Sequence, residues 1–383
     1  MIPFSMDQPS TNGSIWGRVP IDPQPTLESD IRAKILVIGA GGSGLAAVDE
    51  ALSLGEKDIV CIDAGRIASG AAGKNGGLLL AGLADPYHTV SKFIGRERAR
   101  QAYDMTEREI DRMLVETHDC VRRTGSLRIE TTPPLLDDCR AHMQALIDDG
   151  FHVDRYEGPE GTGLLLPNDA VFHPVEHCKQ KVAQVLQGGA MLFEHTKARE
   201  IESGRVVTSG GTIHCEHIIA AVDGKLDLLF PELKEEITPY RLQMAATEQA
   251  PLRFRRPIYW NDGYNYLQQL EDGSFAVGGG RDEHGAAEIT HCDDTTEPVQ
   301  DHIRGLLSEL GIDQEITHRW AAVVSYTKNG LPIAREVRHK VIALGAYCGT
   351  GNVMGRILGR AAVHASLRRD FSTIDLFTKD PSS

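Results

Sequence analysis

Gly39, Gly41 and Gly44 are spaced as GxGxxG, and a single acid, Asp63, follows nineteen residues after the last of them. Glycines at this spacing suit a phosphate. The first permits a tight strand-to-helix turn, the second lets a pyrophosphate reach the backbone, and the third allows close helix–strand packing. An acid at that distance accepts both hydroxyls of a ribose, which favours a free 2′-OH and hence NAD or FAD over NADP. Taken alone, GxGxxG is only a glycine-rich turn, so the surrounding elements decide its meaning.

Those elements agree. Ile35 to Ile38 form a short continuous apolar run, which reads as a strand buried on both faces. Leu45, Ala47, Ala51, Leu52 and Leu54 then recur at helical spacing, and "DIVCID" reads as a second strand ending at Asp63. The unit is βαβ, and a helix beginning at the glycines offers free N–H groups and partial positive charge to an anion. After Asp63 the chain does not start another βα unit. It continues as "ASGAAGKNGG", Ala68 to Gly77, an extended small-residue segment able to lie along a bound cofactor and offer it backbone N–H groups.

This second segment resembles the FAD-dependent oxidoreductases of the D-amino acid oxidase, glycine oxidase and sarcosine oxidase (DAO) family. Their motif runs acid–x–x–Arg–x–x–(Ser/Gly)–Gly–Ala–Ser–Gly–Arg–Asn–Gly–Gly. Here Asp63, Arg66, Ser69, Gly70, Ala71, Gly73, Asn75, Gly76 and Gly77 match it, while Ala72 replaces Ser and Lys74 replaces Arg. The resemblance extends over nearly the whole chain. Within the family, the "ATE" and "GGG" strand patterns resemble the γ-glutamylputrescine oxidoreductase-like amine oxidoreductases.

The resemblance implies an α/β, two-domain architecture: a Rossmann-like FAD-binding domain of the glutathione-reductase type, interleaved with a substrate domain built on an antiparallel sheet plus helices. The expected division is an arm at 1–30, the FAD-binding domain at 31–85, 160–230 and 318–383, and the substrate domain at 86–159 and 231–317. It implies FAD held non-covalently by Gly39, Gly41, Gly42, Ser43, Gly44, Asp63, Ala64, Arg66, Ser69, Lys74, Asn75, Gly76, Gly77, Ala198, Gly349, Gly351, Asn352 and Val353. In "CGTGN" a helix starts near Asn352, and in the family this helix points at the flavin's pyrimidine edge, where it stabilises negative charge. A plain glycine-rich turn before a packing helix is the bland alternative.

Elsewhere, Ser91 to Thr124 reads as an amphipathic helical region with Ile110, Met113, Leu114 and Val121 on one face. "GSLRIET" and "FHVDRY" read as strands and "DDCRAHMQALIDDG" as a helix. From Gly163 the chain is expected to return to the cofactor domain through a helix at Val175–Leu186, a strand at Met191–His195 and a hairpin turning at Ser209–Gly211. Alternating strands over Pro231–His318 precede a helix at "EPVQDHIRGLLSELG".

"HPVEH" and "HCEH" have the residue types of metal ligands but not the geometry. His214 and His217, three apart on a strand, face opposite sides, and His173 and His177 straddle a proline at a helix start. No metal is expected. Tyr264, Tyr266 and Tyr326, with Tyr259 and Trp260, are candidate walls of a substrate site or ordinary core aromatics. Tyr264, Tyr266 and Tyr326 are the candidate catalytic residues. Arg281 is an anion anchor or a solvated strand-end charge. In the family an Arg of the "W-A-G-x-R-P" motif grips the substrate carboxylate, and sarcosine oxidases place a flavin-bonded Cys in the same region. In "WAAVV" that position holds Val324.

The formal charge of −14 argues against nucleic acid and against a polybasic membrane anchor. Seven scattered cysteines without a CxxC fit reduced thiols and a cytoplasmic setting. The polar first twenty residues predict no signal peptide, and no apolar run is long enough for a membrane span. The expected activity is oxidation of a C–N bond of a primary or secondary amine, or of an amino acid derivative, by hydride transfer to flavin, as an oxidase or a dehydrogenase, with oxygen or another acceptor taking the electrons. A flavin-binding electron-transfer protein, or a subunit of a larger dehydrogenase without its own amine turnover, is the alternative from another class, and an NAD-dependent dehydrogenase is a third. The residues name neither the amine nor the oligomeric state.

Overall fold

The computed structural model describes residues 13–381. The βαβ unit forms as read, with strand Ile31–Ile38, helix Gly42–Ser53 and strand Ile59–Ile62. Gly39 makes the turn at φ +102°, and a Cβ there would overlap the carbonyl oxygen of Ala221. A side chain at that φ would be strained as well as crowded. Around the unit lies an eight-stranded sheet. Its path runs from Ala198–Glu202 through Arg205–Thr208, Thr212–Ala221, Ile31–Ile38 and Ile59–Ile62 to Met191–Phe193, and Val341–Gly345 and Ile333–Arg338 branch from Thr212–Ala221. The central strands are parallel, and Ile59–Ile62, Val341–Gly345 and residues 35–38 are wholly buried. Continuous apolar runs are what burial on both faces demands.

A second eight-stranded sheet, mostly antiparallel, runs in the order Ile316–Thr327, Ile237–Thr247, Phe275–Gly278, Asn265–Gln269, Ile258–Trp260, Ser126–Ile129, Gly161–Leu166, Asp154–Gly158. Leu78–Leu79, Ala170–Phe172 and Val121–Arg123 form a separate small sheet.

Three places differ from the sequence reading. The amphipathic region starts earlier, divides and ends sooner, as helices Tyr87–Ile94 and Arg96–Glu116. Gly95 between them sits at φ +90°, outside helical backbone space. Ile110 and Met113 are buried, but Val121 lies on a strand rather than on their helical face. The crossing at Gly163 falls later: Gly161–Leu166 pairs with Ser126–Ile129 and Asp154–Gly158 in the second sheet. Residues 318–327 also lie in the second sheet, because Ile316–Thr327 pairs along its length with Ile237–Thr247. Long antiparallel ladders, invisible to local periodicity, set these crossings.

Helix Pro174–Gln187, strand Met191–Phe193 and the turn between Thr208 and Thr212 stand where expected. Ile15, Trp16, Ile21 and Leu27 are buried, and Glu194 joins the arm to the cofactor loop by accepting from Gln24 N and Ile67 N. Among the described residues no helix is long and apolar enough to cross a membrane.

Candidate active site

A cavity of about 1640 Å³ runs between the two large sheets. Pockets for ordinary small ligands measure roughly 300–1,000 Å³, so this one has room for a dinucleotide and a substrate together. Gly39, Gly41, Gly42, Ser43, Asp63, Ala64, Ser69, Lys74, Asn75, Gly76, Ala198, Gly349, Gly351, Asn352 and Val353 all line it. Three expected residues do not. Gly44 packs beneath the helix start against Gly39, and Gly77 is enclosed by Gln268, Phe172 and Trp16. Arg66 donates from Nη2 to the Ile21 carbonyl at 3.1 Å and so holds the arm.

Helices Gly42–Ser53 and Gly351–Arg368 both open at this cavity, and neither has a capping side chain. Uncapped first-turn amides with the positive end of the helix dipole are an anion site. The helices meet closely because Gly355 and Gly359 face the first turn of the other. A Cβ at Gly359 would overlap the Ser43 carbonyl, and one at Gly355 the Ser43 hydroxyl. Glycines at 351, 355 and 359 recur every four residues, a stripe that the sequence displays and that marks this contact.

Asp63 stands at the end of its strand. Oδ2 accepts from Ala40 N and Oδ1 from Gly65 N, each at 2.9 Å. A carboxylate oxygen has two lone pairs, so each keeps one for a further donor. Burial raises the pKa of Asp63, and the two backbone amides oppose that shift.

The segment Gly70–Gly77 is clamped from outside. Three consecutive carbonyls, of Lys74, Asn75 and Gly76, accept from Trp320 Nε1 at 2.9 Å, Trp16 Nε1 at 2.7 Å and Gln268 Nε2 respectively. Asn352 Nδ2 donates to Asn75 Oδ1 at 3.2 Å and to the Leu78 carbonyl at 2.9 Å. The Lys74 ammonium pairs with Asp293 at 2.9 Å, across to the second sheet's side of the cavity. Sequence reasoning missed Trp16, Gln268 and Asp293, since nothing local marks them as partners of a loop tens to hundreds of residues away.

At the other end, Tyr264, Tyr266 and Tyr326 all line the cavity. Ala322, Val324 and Tyr326 share one face of strand Ile316–Thr327 by its two-residue period, and all three line the cavity too. Burial pushes the Tyr326 hydroxyl up to about 12, so it stays protonated at neutral pH. Tyr259 lines the cavity, whereas Trp260 belongs to the core of the second sheet. Arg281 is not a solvated strand-end charge: its guanidinium stands over the rings of Tyr264 and Tyr326 at 4.6 Å and Tyr240 at 5.5 Å.

The histidine motifs serve the fold. His173 caps helix Pro174–Gln187 by accepting from Glu176 N, and buried His177 contacts Arg356 and Thr117. His214 is exposed on its strand while His217 is buried. No group of three or more His, Cys, Asp or Glu side chains able to hold a metal comes together among the described residues.

The family model for FAD dependent oxidoreductases, DAO, matches residues 34–365, and the chain belongs to that family. It is therefore an FAD-dependent oxidoreductase. It is 27% identical to a probable oxidoreductase OrdL of Rhizobium meliloti (strain 1021), over 95% of this chain and 90% of that protein. It is 25% identical to the γ-glutamylputrescine oxidoreductase of Escherichia coli (strain K12), over 94% and 89%. Its fold is similar to that of glycine oxidase from Geobacillus kaustophilus, with TM-score 0.72 and 16% identity over 89% of this chain and 97% of that one. L-Proline dehydrogenase from P. horikoshii also has TM-score 0.72, at 15% identity over 94% and 96%.

The residues fit FAD. The cavity has the volume, two uncapped helix starts for anionic groups, and an acid with spare lone pairs at the end of the second strand.

Proposed function

We propose that this protein oxidises the C–N bond of a primary or secondary amine whose reacting carbon carries no carboxylate, and passes the electrons to oxygen or another acceptor. The observation that carries this reading is the wall made by Ala322, Val324 and Tyr326, with Tyr264 and Tyr266 nearby. It is apolar and aromatic, and the motif resemblance puts Val324 at the position where carboxylate-gripping relatives carry an arginine. A carboxylate buried there without a cation would meet a desolvation penalty of several kcal/mol. The E. coli relative's name, γ-glutamylputrescine oxidoreductase, points the same way.

When bound, FAD supplies the hydride acceptor. The helix start at Gly42 and the Asp63 carboxylate would hold its phosphates and ribose, and the clamped Gly70–Gly77 segment and the start of helix Gly351–Arg368 would hold the rest. The tyrosines orient the amine and exclude water, and orientation alone lowers such a barrier substantially. Protonated Tyr326 acts as a hydrogen-bonding group, not as a base.

Anaerobic stopped-flow reduction with glycine, sarcosine and D-alanine beside putrescine, its γ-glutamyl derivative and alkylamines tests the reading. Fast bleaching by amines supports it. Reduction by the small amino acids alone would overturn it, and reduction by neither series would favour an electron-transfer role.

A further inference from the structure

Arg281 lines the substrate end of the cavity and is enclosed by the rings of Tyr240, Tyr264 and Tyr326. Its guanidinium makes no hydrogen bond and no ion pair with any described residue. The absence is selective, because the chain carries 54 acidic residues against 40 basic ones and acids stand close by. Three neighbouring acids that could neutralise it are held by other cations. Glu288, on the wall of the adjoining recess, is held by both Nε and Nη2 of Arg241, at 2.7 and 2.8 Å, and accepts from Gln243 as well. Asp262 is bound by Arg128 at 3.1 Å and attracts Arg281 only at longer range, and Asp293 is bound by Lys74 at 2.9 Å. Asp85 lines the same cavity and does not pair with Arg281 either.

A guanidinium has five donors in a planar fork that matches a carboxylate in bidentate fashion. Aromatic faces stabilise its charge without consuming those donors, since cation–π attraction acts through the ring face. The result is a cation held in place by tyrosines, with no partner for its hydrogen-bonding edge among the described residues, beside the substrate space. Its position also sets the distance from the chemistry. Tyr326 touches both Arg281 and the turn at Gly349, where a Cβ would lie 3.2 Å from the Tyr326 hydroxyl. One tyrosine ring therefore separates the guanidinium from the turn that begins the last long helix.

We infer that Arg281 is a substrate-binding residue that receives a carboxylate at the far end of the amine, so that the substrate class is an amine with a remote carboxylate. The inference rests on the amine-oxidising reading above and deepens it. Val324 excludes a carboxylate beside the reacting carbon, and Arg281 accepts one further along the molecule.

The test uses flavin-loaded wild type, Arg281→Met and Arg281→Lys. Calorimetric titration with glutarate reads carboxylate binding without turnover. Anaerobic reduction by 5-aminopentanoate and by pentylamine, which differ in the distal carboxylate, reads its use in the reaction. Glutarate should bind wild type and weaken about tenfold or more in Arg281→Met, the scale of one lost charge-assisted contact. Arg281→Lys should fall between them, because a point charge replaces a fork. The aminopentanoate should have the lower apparent Kd in wild type, and Arg281→Met should erase the difference. Glutarate bound equally by wild type and Arg281→Met, or by neither, overturns the inference. Should Arg281→Met lose its flavin, unchanged glutarate affinity in Arg281→Lys overturns it instead. Arg281-dependent glutarate binding with no reduction by either amine would uphold the subsite and sink the amine reading. Equal reduction by both amines with Arg281-independent glutarate binding would do the reverse.

Discussion

The hydroxyl of Tyr347 donates to the hydroxyl of Ser43 at 2.8 Å, although the two residues are 304 positions apart. The bond joins the first turn of helix Gly42–Ser53 to the turn that precedes helix Gly351–Arg368. Both helix starts open on the cofactor cavity, so their spacing is part of the site and not only of the core.

That spacing predicts opposite outcomes for two glycine substitutions. Gly359→Ala gains about 1 kcal/mol of helix propensity. It also drives a methyl into the Ser43 carbonyl, a backbone atom that cannot swing aside. Overpacking of this kind costs about 1–3 kcal/mol, so the clash wins. Thermal unfolding should show a lower Tm together with reduced flavin content. Gly305, inside helix Glu297–Glu309, has open space where a Cβ would go, and Gly305→Ala should raise the Tm without touching the flavin. Equal shifts in the two variants would refute the argument.

FAD retention should depend on Asp63. Its two oxygens already take the Ala40 and Gly65 amides, and the residue lines the cavity with a lone pair to spare on each oxygen. Hydrogen bonds to a charged group contribute about 1.5–3 kcal/mol each. Asp63→Ala should raise the Kd for FAD tenfold or more, measured by fluorescence titration of the apoprotein. An unchanged Kd would remove Asp63 from the binding site.

The flavin should come off intact on acid precipitation. The cavity's lining includes two cysteines, Cys178 and Cys348, both buried. Burial raises both thiols, Cys178 to about 12, so neither is a ready thiolate nucleophile. Yellow FAD in the supernatant is the expected result, and colour retained in the pellet would show a covalent link.

Stability should carry a signature of Asp169. Burial pushes this carboxyl up to about 7, against the opposing Ser126 hydroxyl and Ala81 amide. Its unfolded pKa is about 3.9. Below that value both states hold the proton. Between about 4 and 7 only the folded chain holds it, so this group's contribution declines as pH rises through that window and then levels. Asp169→Asn removes the titration and keeps an acceptor. Relative to wild type, the variant should gain stability between pH 5 and pH 8 in urea unfolding. A pH-independent difference would mean that Asp169 does not titrate there.

The sequence by itself determined the βαβ unit, the positions of Gly39, Gly41 and Asp63, the second glycine-rich segment and the family. These are local demands: a tight turn, a backbone a phosphate can approach and a buried strand each dictate residue types within about 30 positions. The tertiary structure decided which residues hold that machinery. Trp16, Gln268 and Trp320 converge on three consecutive carbonyls from three distant parts of the chain, and no periodicity links them to the loop. It also decided that strands Gly161–Leu166 and Ile316–Thr327 belong to the second sheet, because strand pairing depends on partners and not on the strand's own pattern. Arg281 shows the difference most clearly. As a letter after "GGG" it reads as a solvated strand-end charge before it reads as an anion anchor. Only the fold surrounds it with three tyrosines and pairs Glu288, Asp262 and Asp293 with other cations, which leaves its donors without a partner among the described residues.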